Sequence, residues 1–128
     1  MSFKIYVYGT DQGIAETQVF VFSGGGPYNS IEASKQYDGD ANNPLEISVP
    51  CDAGYTRSVR FRFTLNTGAI FVQWTYQIGG VQGDSSDTTL VLTADSDIHI
   101  HADTDAGGGG GGAAAGAGAG SGSGSSSG

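Results

Sequence analysis

The stretch Tyr55-Thr-Arg-Ser-Val-Arg-Phe-Arg-Phe-Thr-Leu65 contains the longest alternation of apolar and polar side chains in the chain. Such alternation repeats every two residues, which is the period of a β-strand with one buried face. One face of the predicted strand carries Val59, Phe61, Phe63 and Leu65, and the other carries Thr56, Ser58, Arg60, Arg62 and Thr64. The stretch therefore predicts a strand whose apolar face packs into a core.

The same two-residue period recurs on both sides of this stretch. Seven further segments alternate in this way, around residues 3–7, 16–22, 30–37, 45–49, 70–78, 89–93 and 97–101. Clusters of turn-forming residues such as Asn66-Thr67-Gly68 separate the segments, and no window has a competing helical pattern. About eight short strands without helices predict an all-β fold, an antiparallel β-sandwich or jelly-roll-like domain.

The predicted core is drawn from the inward positions of these strands. It includes Val59, Phe61, Phe63, Val72, Trp74, Leu90 and Leu92. In the segment 70–78, simple alternation places Ile70 and Val72 on the same face as Trp74, Tyr76 and Ile78. The run Val19-Phe20-Val21-Phe22 is apolar on both faces, so we expect that strand to be well covered.

Composition restricts the classes of function. The 128 residues include 13 acidic and five basic side chains, for a formal net charge of −8, whereas a nucleic-acid surface needs clustered Lys and Arg. The single cysteine, Cys51, excludes an internal disulfide and a cysteine-based zinc site. No run approaches the roughly 18 apolar residues of a membrane span, and the N-terminus has no secretory signal pattern. We expect no nucleic-acid partner and no membrane insertion.

The chain divides into two parts of different composition. Residues 1–106 carry every charge and nearly all apolar side chains, whereas residues 107–128 consist of 12 Gly, 5 Ala and 5 Ser. Within the second part, Gly alternates with Ala or Ser from residue 116 to residue 124, a period of two that excludes collagen. We predict a sandwich domain over 1–106 followed by a low-complexity tail that serves as a docking segment, a flexible tether or an artificial linker.

Both histidines lie near the end of the last predicted strand. His99 and His101 stand two residues apart, so they project from one face, and Asp97 and Asp103 share that face. Two imidazoles with carboxylates could hold a transition metal. The alternative is a solvated outer face of the sheet.

A second candidate for a metal site lies between two predicted strands. Asp38, Asp40 and Asn42 match the D-x-D-x-N start of a calcium loop, but the Gly and Glu that complete such a loop are missing. The three residues therefore predict either a calcium-binding surface loop or an ordinary turn. The stretch 79–84 has some similarity to the G-G-x-G-x-D calcium repeat, yet it occurs once with one Gly displaced, which favours a hairpin or loop.

Arg60 and Arg62 share the polar face of the longest strand. They could contact an anion or a carbohydrate, pair with acidic neighbours such as Glu46 or Asp97, or meet an acidic patch on another subunit. Because the chain is so acidic, we expect pairing.

No constellation of nucleophile, acid and base emerges from these residues, so the sequence predicts a protein that is not an enzyme. We expect a structural subunit of a larger assembly, such as a virion, a phage decoration protein or an extracellular filament. In this role the tail would contact copies of the chain or other structural proteins. The alternative is a carbohydrate- or calcium-binding module with the tail as a tether.

Overall fold

The computed structural model describes residues 2–23 and 28–105 of the chain. The segment 107–128, its boundary at residue 106 and the role predicted for it lie outside the described residues. The described part is all-β, with no helix, and therefore includes no helix that could cross a membrane.

The described residues form nine strands. They are β1 (Ser2–Val7), β2 (Ile14–Val21), β3 (Ile31–Gln36), β4 (Leu45–Pro50), β5 (Arg57–Leu65), β6 (Ile70–Ile78), β7 (Val81–Ser85), β8 (Leu90–Ala94) and β9 (Ile98–Asp105). They make a five-stranded sheet in the order β4-β1-β9-β6-β7 and a four-stranded sheet in the order β3-β2-β5-β8. All pairs are antiparallel except β1–β9, which is parallel. The predicted β-sandwich is confirmed.

We call the five-stranded sheet the histidine sheet, because β9 carries His99 and His101. The four-stranded sheet is the arginine sheet, because β5 carries Arg60 and Arg62. Inward side chains of both sheets make one core, which includes Phe3, Ile5, Val7, Val19, Val21, Val59, Phe61, Trp74, Leu90, Leu92, Ile98 and Ile100. Phe63 is partly buried against this core. The alternation predicted for β1, β5, β8 and β9 is thus confirmed.

An irregularity in β6 changes the face of its first residues. Phe71 pairs with Thr104 of β9, whereas Gln73 pairs with Asp103. Between these two pairs, β6 advances by two residues but β9 by only one. Val72 is therefore the extra residue of a β-bulge.

The bulge overturns the core placement of Ile70 and Val72. Phe71 turns inward instead, and its ring centroid lies 5.7 Å from that of Trp74. Ile70 and Val72 are 56 % and 48 % exposed. The prediction is wrong for these two residues because counting in steps of two fails where one residue is inserted.

The count of eight strands misses β7. Gly79 and Gly80 have φ angles of 56° and 87° and form the two-residue loop between Ile78 and Val81, which pair with each other. Positive φ at both central positions is typical of the tight turn that matches the twist of a β-hairpin. The interpretation of residues 79–84 as a hairpin is confirmed, and its second strand is β7.

Arg57 is buried at the start of β5, where it is only 1 % exposed. Its Nη1 donates to the carbonyl of Pro50 at 2.6 Å, and its Nη2 donates to the carbonyls of Phe22 and Asn29, both at 3.1 Å. Its guanidinium also lies 4.5 Å from the ring centroid of Tyr28. Arg57 therefore joins the ends of β2 and β4 to the segment before β3, which is a structural role.

Candidate functional site

A groove of about 440 Å³ lies on the outer face of the arginine sheet, across β3, β2 and β5. Its lining includes Glu16, Gln18, Phe20, Glu32, Ser34, Arg60 and Arg62. These residues alternate with the inward core positions of the same strands, such as Val19 and Phe61, so they face away from the core. The groove therefore collects the polar side chains that three neighbouring strands present outward.

Strand register arranges the lining in two rows. In the first row, Phe20 of β2 pairs with Glu32 of β3 on one side and with Arg60 of β5 on the other. In the second row, Gln18 lies in the same way between Ser34 and Arg62. Neighbouring strands are about 4.8 Å apart, so the β3 and β5 members of each row stand on opposite walls, with β2 between them.

Arg60 is packed onto the rings of Phe20 in β2 and of Phe22, which directly follows that strand. Its guanidinium carbon lies 5.1 Å from the ring centroid of Phe20 and 5.7 Å from that of Phe22. The two rings meet edge to face with centroids 5.0 Å apart. The guanidinium thus provides part of the cover that the sequence predicted for these two outward rings. The Nε of Arg60 is enclosed and has no hydrogen-bond partner within the described part of the chain.

The pairing of Arg60 and Arg62 with Glu46 or Asp97 is wrong, whereas a contact with an acidic patch on another subunit stays a prediction. Glu46 forms a salt bridge of 2.8 Å with the Nζ of Lys4, and Asp97 accepts a hydrogen bond of 2.9 Å from the backbone N–H of Lys4. Both carboxylates thus belong to the surroundings of the histidine sheet, on the other side of the sandwich. Across residues 2–23 and 28–105, neither arginine forms a salt bridge.

Glu16 occupies one end of the groove and is held by amide side chains. Its carboxylate accepts hydrogen bonds from Nε2 of Gln18 at 3.1 Å and from Nε2 of Gln36 at 2.8 Å. Glu16 and Glu32 are the acidic residues of the lining, so the groove carries one carboxylate across from the two guanidiniums and another at its end. The site therefore offers hydrogen-bond donors and acceptors on different walls.

His99 packs between two tyrosines on the outer face of the histidine sheet. Its ring stacks on Tyr6 at a centroid distance of 4.5 Å and lies 6.0 Å from Tyr8. Its Nδ1 is 2.8 Å from the hydroxyl oxygen of Tyr8. His99 thus belongs to an aromatic cluster that fixes its ring.

His101 has a different partner. Its Nε2 lies 3.1 Å from Oδ1 of Asp103, whose Oδ2 accepts a hydrogen bond of 2.6 Å from the hydroxyl of Thr75. The hydrogen bond with Asp103 raises the pKa of His101 against the opposing effect of burial, with a further contribution from Asp11. Burial works to raise the pKa of Asp103, but the hydrogen bonds from His101 and Thr75 outweigh it and lower that pKa.

Of the four side chains of the predicted transition-metal cluster, the structure therefore keeps only His101 and Asp103 in contact. His99 contacts tyrosines, His101 contacts Asp103, and Asp97 contacts Lys4. In the described part of the chain, no group of three or more His, Cys, Asp or Glu side chains is arranged to hold a metal ion. The metal site at His99 and His101 stays a prediction.

The carboxylate oxygens of the predicted calcium loop already accept hydrogen bonds from donors of the protein. Oδ2 of Asp38 accepts hydrogen bonds from Nζ of Lys35 at 2.8 Å and from Nδ2 of Asn43 at 2.9 Å. Oδ1 of Asp38 and Oδ1 of Asp40 accept from the backbone N–H groups of Asp40 and Asn42 at 2.9 Å and 2.8 Å. The Lys35 hydrogen bond is the main cause that lowers the pKa of Asp38 to about 2. A lysine ammonium thus lies where a calcium ion would need Asp38, and calcium binding stays a prediction.

The sequence predicted the two arginines of the groove but not the residues that surround them. Phe20 could have been recognised, because an aromatic residue on the polar face of a strand needs cover. Gln18 and Glu32 gave no local signal, since they become neighbours of the arginines only through the pairing of β2 with β3 and β5.

No protein-family model matches the chain, and no curated protein or solved structure shows significant similarity to it.

Proposed function

We propose that this chain is a non-enzymatic structural subunit of a larger assembly, such as a virion, a phage particle or an extracellular filament. Its partners are copies of itself and other structural proteins of the assembly. The Gly/Ala/Ser segment 107–128 mediates docking or contact between subunits, because a backbone without large side chains lets a neighbouring chain approach closely.

The observation that carries the proposal is the exposed apolar pair Ile70 and Val72. Both side chains are about half exposed, and Ile70 is paired with Asp105, the last residue of β9. The chain therefore continues toward segment 107–128 from a position beside two uncovered apolar side chains. Apolar surface of this kind gains free energy when another chain covers it, which supports a subunit contact at this end of the sandwich.

The contacts of His101 support a role without catalysis, because its described partner is a carboxylate and not a nucleophilic hydroxyl or thiol.

The proposal is tested by measuring the mass of the protein in solution by analytical ultracentrifugation. We expect the full chain to self-associate, and we expect both deletion of residues 107–128 and the double substitution Ile70→Ser/Val72→Ser to reduce association. Circular dichroism should show an intact sandwich in both variants, since Ile70 and Val72 are about half exposed and the deletion leaves every described residue in place.

Val91→Ser is the matched control, because Val91 is 53 % exposed on the arginine sheet, away from β9. This control should associate like the unmodified chain. If the truncated protein associates as strongly as the full chain, segment 107–128 is only a spacer. If Ile70→Ser/Val72→Ser also leaves association unchanged, the proposed contact is refuted.

A further inference from the structure

We infer that the groove on the arginine sheet binds an acidic saccharide, a sugar chain in which one uronic acid unit supplies a carboxylate. Arg60 and Arg62 receive the carboxylate, while Glu32, Ser34 and Gln18 bind hydroxyl groups. This site is independent of the contact proposed at Ile70 and Val72, which lies on the other sheet.

Arg60 and Arg62 differ from the other basic residues in their partners. Of the five basic residues, Lys4 pairs with Glu46, Lys35 pairs with Asp38, and Arg57 is saturated by backbone carbonyls. In the described chain, the two arginines of the groove are the basic residues that have neither an anionic partner nor a set of backbone carbonyls, although the chain contains 13 acidic residues. Two guanidiniums in one groove are a typical receptor for a carboxylate, which they bind through paired N–H donors.

The side chain of Arg60 is already fixed before a ligand binds. Stacking on Phe20 and Phe22 holds its guanidinium over the first row of the groove. A side chain that is already fixed loses less conformational entropy when a ligand binds.

The acidic side chains of the groove select among anions. Glu32 stands on β3 across from the arginines, and Glu16 lies at the end of the groove. These carboxylates repel a doubly charged phosphate but accept hydrogen bonds from hydroxyl groups. A ligand with one carboxylate and several hydroxyls satisfies both walls, and a groove of about 440 Å³ is in the size range of small-molecule sites.

The experiment is isothermal titration calorimetry of the full chain with four probes. They are a tetrasaccharide that contains one uronic acid unit, a neutral glucose tetrasaccharide of equal length, inorganic phosphate and a short polyglutamate peptide. We expect the uronic acid probe to bind at least about tenfold more tightly than the neutral probe, since each charge-assisted hydrogen bond to a guanidinium is worth about that factor. We expect phosphate and polyglutamate to bind more weakly than the uronic acid probe, because Glu16 and Glu32 repel their additional charges.

Arg62→Gln is the central variant, because Arg62 is exposed and its replacement removes no core contact. We expect it to weaken uronic acid binding by about tenfold. Lys4→Gln is the matched control, since it removes the same charge from the opposite sheet, and it should leave affinity unchanged. Arg60→Gln should behave like Arg62→Gln if circular dichroism shows it folded.

Four results would overturn the inference. They are no binding of the uronic acid probe, equal binding of the neutral sugar, equal or tighter binding of phosphate or polyglutamate, and unchanged affinity in Arg62→Gln. Tight binding of polyglutamate that Arg62→Gln abolishes would identify the groove as a receptor for an acidic protein segment instead.

Discussion

The Nε2 atom of His101 lies 3.1 Å from Oδ1 of Asp103, two residues further along β9. Residues two apart on a strand share a face, so this contact forms within one strand, and Thr75 of β6 completes it by donating to the same carboxylate. The pair adds a histidine whose charge depends on pH to the outer face of the histidine sheet.

The His101–Asp103 pair makes stability depend on pH in a defined window. The pKa of His101 is raised above 6.5, so its contribution is complete below that value and is lost as pH rises through the raised pKa. The pKa of Asp103 is lowered below 3.8, so its contribution is complete above that value and is lost as pH falls through the lowered pKa. We expect His101→Gln to lower the free energy of unfolding most between about pH 4 and pH 6.5, by up to about 1 kcal/mol for a pair this exposed.

Urea unfolding of four proteins at several pH values checks this expectation. They are the unmodified chain, His101→Gln, Asp103→Asn and the double variant, which together isolate the energy of the pair. A coupling energy that is the same at about pH 5 and about pH 9 would contradict the assignment.

Asp38 should titrate far below an ordinary aspartate. Its hydrogen bond from Lys35 lowers its pKa to about 2, so the stabilisation from this contact is present above 3.8 and is lost as pH falls toward 2. We expect carboxyl NMR signals to give this midpoint in the unmodified chain and a midpoint closer to 3.8 in Lys35→Gln. Lys4→Gln, which changes the same charge elsewhere, should not move it.

Calcium added to the same NMR samples tests the loop of Asp38, Asp40 and Asn42. We expect binding only at millimolar calcium, since the ion must compete with the ammonium of Lys35 for the Asp38 carboxylate. We also expect Lys35→Gln to bind calcium more tightly. Signals of these three residues that do not respond to calcium in either protein would show that they are turn residues.

The bulge in β6 predicts different costs for the same substitution at two valines. Val59 is fully buried, so Val59→Ala should reduce the free energy of unfolding by roughly 2 kcal/mol or more. Val72 is 48 % exposed, so Val72→Ala should cost less than about 0.5 kcal/mol. Chemical denaturation measures both values, and a large loss for Val72→Ala would mean that Val72, and not Phe71, faces the core.

Arg57 is one of the two buried polar side chains in the described part of the chain, and we expect it to be essential for stability. Arg57→Met removes the donors to the carbonyls of Pro50, Phe22 and Asn29, which stay buried, so we expect a loss of about 3 kcal/mol or more. Arg62→Met, the same substitution on the exposed face of the same strand, should cost less than about 0.5 kcal/mol. Similar losses for both variants would contradict the structural role of Arg57.

The alternation of apolar and polar residues along the chain was sufficient to predict much of the fold. The direction of each side chain along a regular strand follows from its position alone, which is why the core faces of β1, β5, β8 and β9 could be predicted. The same rule placed Arg60 and Arg62 together on an outward face, and the composition of residues 107–128 set that segment apart.

The sequence by itself therefore determined a β-sandwich and the pair of arginines, whereas the tertiary structure decided what surrounds them. Whether Arg60 meets Glu46 or Phe20 depends on which strands are neighbours, and strands that pair here are separated by long stretches of sequence. The exposure of Val72 likewise depends on its register with β9, about 30 residues away along the chain. Such pairings are chosen by the packing of the whole core, because each strand's own period of two is compatible with several neighbours and registers.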